Sequence, residues 1–179
     1  MGLLDALMPP DYRDVAMAIK KYAVSTTLST HERSILNDLR IGEHVFVHQK
    51  ILFMCAFIRA CLLLRENQND RLDRATASVR HFFDVYTEEY FKTLPGIDSS
   101  AGMKEYDEAR SRYGTFNKDL MYPGFLERVK LDPAERDPMK AFDKAWVAPR
   151  EFGAFVSLMD HYCKSIVEFL TKQLTRLKS

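Results

Sequence analysis

The chain has 179 residues, 46% of them hydrophobic and 28% charged. That balance excludes disordered, collagen-like and low-complexity classes and fits one folded domain spanning 1–179. With 26 basic against 25 acidic residues the net charge is +1, so no overall field draws nucleic acid or an anionic membrane surface to it.

Residues 3–8, LLDALM, form a short apolar stretch within an N-terminal arm (1–10) that ends at Pro9-Pro10. No basic segment precedes it, as a secretory signal requires, and Ala6 stands where a myristoylation motif needs Ser or Thr. Such an arm packs on the body or reaches a second subunit. A first helix starts at Pro10 or Asp11, since proline and acids suit a first turn. It is expected to run to about Leu28, with Val15, Ile19, Tyr22 and Ala23 on its apolar side. Ser29 and Glu32 then have the spacing of a capping box, opening a helix to about Ile41 that carries Ile35, Leu36 and Leu39. Gly42 breaks it.

The stretch 43–65, EHVFVHQKILFMCAFIRACLLLR, is the most apolar in the chain. No Gly or Pro interrupts it, so it reads as a helix buried on nearly every side. Lys50 and Arg59 interrupt it too often for a membrane span. At about 100° per residue, His44, His48, Cys55, Arg59 and Glu66 fall within roughly 60° of one another, while Lys50 points elsewhere. Asn67-Gln68-Asn69-Asp70 makes a turn. A fourth helix over 71–94 carries Leu72, Ala75, Val79, Phe82, Phe83, Tyr86 and Tyr90, and should form an antiparallel hairpin with the third. Pro95-Gly96 ends it.

A polar helix follows over 103–116. Residues 117–149 hold Pro123-Gly124, Pro133, Pro138 and Pro149 and are expected to form an irregular wrap or lid. The last helix, 150–177, has a long apolar stripe from Phe152 through Phe155, Met159, Cys163, Ile166 and Leu170 to Leu177. Asp160 and Lys164 on it have the spacing of a surface pair. No period-two alternation occurs, so the fold class is all-α: an antiparallel bundle of five to six helices. Cys55, Cys61 and Cys163 sit in apolar helical patterns, as buried thiols of a cytoplasmic protein do. The arm and the long last helix together predict a homodimer.

Three groups of residues bear on function. His44 and His48, at i and i+4, have the spacing that puts two imidazoles on one metal; neither has a Glu three residues before it, as di-iron bundles require. Arg59 cannot shed its charge and needs a partner where it is buried. Asp73, Asp84 and Asp160 are candidates, or else a bound anion. His44, His48, Arg59 and Glu66 are accordingly the candidate ligand-binding set.

Arg74 and His81 enclose six residues, ATASVR. This spacing resembles the Arg–His motif of HEPN-domain ribonucleases, small helical bundles that act as dimers. The resemblance covers eight residues and implies an Arg and a His flanking the scissile phosphate without metal. It departs from the family at Ala75, where a polar residue is usual. Residues 19–34 have the outline of a helix-turn-helix, but Ala23 replaces the turn glycine and Ser29 and Glu32 occupy apolar positions, so DNA binding is not expected. No phosphate loop, Cys-x-x-Cys or nucleophile elbow occurs. The sequence therefore predicts a non-enzymatic protein without a cofactor. Its partner is a small anionic ligand or another protein. The Arg74/His81 ribonuclease and the His44/His48 metal bundle are the alternatives.

Overall fold

A computed structural model describes residues 10–67, 73–130 and 149–178. The described residues form seven helices and no strand: α1 Pro10–Ala23, α2 Thr30–Leu39, α3 Glu43–Glu66, α4 Asp73–Lys92, α5 Ser99–Tyr113, α6 Lys118–Lys130 and α7 Pro149–Thr175, with a 3₁₀ turn Arg176–Lys178. The all-α class holds, and the helix count exceeds the five to six expected. The N-terminal arm ahead of Pro10 and the bulk of the proposed wrap, 131–148, lie outside the described residues.

The extra helix is α6, drawn from the segment expected to be irregular. Asn117 starts it: its side-chain Oδ1 accepts from Asp119 N at 3.0 Å. Pro123 sits inside α6 and removes one backbone donor. The loss is offset by burial of Met121, Tyr122, Phe125, Leu126 and Val129, which fall on one face of a 3.6-residue period. In the sequence, Pro123-Gly124 interrupts that spacing with residues that disfavour a helix interior.

Capping chemistry decides the other boundaries. Val24, Ser25, Thr26 and Thr27 are β-branched or hydroxylated residues that disfavour helix interiors, and α1 ends at Ala23 rather than Leu28. The Ser29–Glu32 capping box forms in full around the first turn of α2. At the other end Arg40 adopts φ 55 and ψ 42, and Ile41 N donates to Leu36 O at 2.9 Å, a left-handed helix stop. Arg40, not Gly42, therefore supplies the stop; Gly42 is the N-cap of α3 in extended backbone. Asp98 caps α5 by accepting from Ser100 N and Ala101 N, which moves that helix's start from 103 to 99.

α3 is the axis of the molecule. Phe46, Ile51, Leu52, Phe53, Met54, Cys55 and Ile58 on it are all buried. Its length and composition would suit a membrane span, and 72% of its most apolar window is buried inside the fold. The Phe53 ring packs against Phe57, Tyr113, Phe125 and Tyr162, with centroids 5.3 to 6.5 Å away. Side-chain pairs give helix directions. Arg59 meets Asp84 and Glu66 meets Arg80, so α3 and α4 run in opposite senses. Glu108 meets Arg128 and Tyr113 meets Phe125, so α5 and α6 do too. Arg13 lies over Phe82 and Lys20 over Tyr90, which makes α1 and α4 run the same way.

On α7 the buried face is Phe155, Leu158, Met159, Tyr162, Ile166, Leu170 and Leu174, whereas Phe152 is exposed. The expected stripe is thus rotated toward Tyr162. Asp160 does not pair with Lys164; it accepts from Lys118 Nζ at 2.5 Å and Tyr122 OH at 2.6 Å, which fastens α6 to α7. Cys55 and Cys61 are buried, Cys163 is half-buried, and all three are free thiols. Burial pushes the Cys61 thiol up to about 12, so it is inert as a nucleophile.

Candidate functional site

The first half of α3 places His44 and His48 one turn apart beside α5 and α6. His44 is exposed and His48 half-buried. Both line a cleft of about 870 Å³ whose charged lining is Glu105, Arg112, Glu127, Arg128 and Lys130. His48 Nε2–H donates to Glu105 Oε2 at 2.9 Å, and Gln49 Nε2 donates to Glu105 Oε1 at 3.3 Å. The His48 hydrogen bond outweighs burial and holds the Glu105 carboxyl below its ordinary range, so that carboxylate's charge is already engaged by protein donors.

The cations of the cleft differ in how they are held. Arg128 Nη2 donates to Glu108 Oε2 at 3.1 Å. Lys130 is partly desolvated, and burial lowers its pKa. Arg112 has its guanidinium 5.7 Å from the Tyr113 ring centroid and makes no ion pair among the described residues. Its stem crosses α6 at Gly124, where an added Cβ would lie 2.9 Å from Arg112 Cδ. A side chain at 124 would push the stem aside, so this glycine sets the path of Arg112 through close approach.

The candidate set read from the sequence divides in two. His44 and His48 reach this cleft. Arg59 and Glu66 lie at the other end of α3 and join α4. Arg59 Nε donates to Asp84 Oδ1 at 3.0 Å, and Arg80 Nη1 donates to Asp84 Oδ2 at 3.1 Å. Arg80 also grips Glu66 with two bonds, 2.6 and 3.2 Å. Arg59 thus has its partner among the aspartates expected, in a four-residue chain of charges. Glu66 is held below the usual carboxylate range, first by the Arg80 hydrogen bond.

Arg74 and His81 are both exposed on α4. Ser78 Oγ donates to the Arg74 carbonyl, and the His81 ring lies 5.7 Å from that of Phe82. Among the described residues no group of three His, Cys, Asp or Glu side chains gathers at metal-ligand spacing.

Glu105, Arg112, Arg128 and Lys130 were not picked out from the sequence. Glu105 and Arg112 are seven residues apart, on one face of α5, and that spacing was the available signal. The helical nature of 118–130 was the missing step for the other two. The chain matches no protein-family model, no curated protein and no solved structure.

Proposed function

We propose that the protein is a non-enzymatic binding protein whose cleft between α3, α5 and α6 takes a small anionic ligand. One observation carries the reading: Arg112 is led over Gly124 to the cleft and has no carboxylate partner among the described residues. A guanidinium offers a planar fork of donors that suits carboxylate or phosphate. His44 and Lys130 line the same wall, and the volume lies within the usual range for small-molecule sites.

The test is calorimetric titration and thermal unfolding with succinate, citrate and inorganic phosphate. At least one of them is expected to bind and to raise the unfolding midpoint, because a ligand that binds only the folded state stabilises it. Arg112→Ala should weaken that binding roughly tenfold or more, the value of one charge-assisted contact, with an unchanged circular dichroism spectrum. Equal affinity in wild type and Arg112→Ala would refute the reading.

A further inference from the structure

A second cavity, of about 460 Å³, opens on the opposite side of α3, among α1, α2 and α7. Its floor is polar and deeply buried: Glu32, Lys50 and Tyr162 are 6%, 8% and 7% exposed. Lys50 Nζ donates to Glu32 Oε1 at 2.7 Å and to Thr27 O at 3.2 Å. Tyr162 OH donates to the same Glu32 oxygen, and Glu32 Oε2 accepts from Ser29 N at 2.6 Å. Glu32 is thus held by three protein groups, and the Lys50 ammonium, besides its two oxygen acceptors, lies 5.3 Å from the Tyr162 ring centroid.

We infer that this cavity is a second binding site, for a neutral sugar ring, either a free monosaccharide or the ribose of a nucleoside. Three features of the lining select that chemistry. First, Lys50 and Glu32 are its formally charged side chains and they cancel one another at 2.7 Å. A charged ligand would enter without a counter-ion, which a desolvated site penalises. Second, the rim carries Ser29, Ser157 and Ser165 with His31 and His161. Hydroxyls both donate and accept, and imidazole nitrogens add further polar contacts, which matches a ligand rich in hydroxyls. Third, Met54, Leu158 and the Tyr22 ring form an apolar wall on which the C–H face of a sugar can lie. A buried ion pair is seldom more stabilising than apolar residues of equal volume; here it supplies the cavity with a polar floor of no net charge.

The experiment is saturation-transfer NMR on the whole chain with glucose, ribose, myo-inositol and uridine, followed by titration of whichever binds. Ser157 is exposed on the rim and outside the floor network, so Ser157→Phe narrows the mouth without unpairing Lys50. At least one probe should show transfer, with affinity falling roughly tenfold or more in Ser157→Phe and unchanged in Arg112→Ala, which reports the other cleft. Glucose or ribose alone would identify the free sugar as the ligand class; uridine with no response to ribose would identify the nucleoside. Three results would overturn the inference: no transfer from any probe at millimolar concentration, affinity undiminished in Ser157→Phe, or loss of anion binding in Ser157→Phe with none in Arg112→Ala.

Discussion

Two charge networks brace α3, one near each end, and they differ in burial. Glu32, Lys50 and Tyr162 tie α2, α3 and α7 together where the ion-paired side chains are only 7% and 10% exposed. Glu66, Arg80, Asp84 and Arg59 tie α3 to α4 with side chains 19% to 23% exposed. The ionic chemistry is alike, and the second network has more hydrogen bonds between charged groups. Yet the first controls more, because an unpaired charge there has no water to turn to, and because Glu32 also caps α2. Burial, rather than the number of contacts, sets how much each network matters.

The sharpest way to break the contrast is Glu32→Ala. It removes the capping acid and strands the Lys50 ammonium, for an expected loss of about 3–5 kcal/mol in urea unfolding. The double variant Glu32→Gln/Lys50→Met should recover much of that loss, since both charges leave together. Losses that simply add would show that the two residues are not energetically paired.

Acid should reveal the same network. Burial raises the Glu32 pKa, but hydrogen bonds from Lys50, Tyr162 and Ser29 outweigh it and hold the carboxyl down at about 2, against 4.5 ordinarily. The folded state therefore binds this proton less readily than the unfolded state. The stabilisation is complete above about pH 4.5 and is lost as pH falls toward 2, on the order of 3 kcal/mol. Glu66, Glu105 and Asp160 are also held low, so the decisive quantity is wild type minus Glu32→Gln across this window. A constant difference would contradict the account.

At the wetter end, Asp84→Asn should destabilise by about 1–2 kcal/mol and Glu66→Gln by about 1 kcal/mol or less. Asp84 ranks higher because it accepts from two arginines. Both effects should shrink as salt rises. If Glu66→Gln matched Glu32→Ala in urea, burial would not be the deciding variable.

Gly124→Ala should change stability least. Alanine favours a helix interior over glycine by about 1 kcal/mol, and this offsets the displacement of the Arg112 stem. Its effect should instead appear as weaker anion affinity with a nearly unchanged unfolding midpoint.

Much of the skeleton was written locally. The Ser29–Glu32 spacing, the length of α3 and the apolar spacing of α1, α4 and α7 involve residues within a few positions of one another, where backbone geometry alone brings groups together. The same local rules, applied to 118–130, were obscured by Pro123-Gly124. What no local rule reaches is which helix faces meet. A period of 3.6 residues assigns each helix an inward face but not its offset or rotation against a neighbour. Tertiary packing therefore chose Asp84 for Arg59, divided the His44–Glu66 stripe between the two ends of α3, and brought Tyr162 to Glu32 from 130 residues away. The sequence determined an all-α fold around one buried helix. Only the assembled helices decided which side chains line the cavities on the two sides of that helix, because those side chains come from elements distant in the chain.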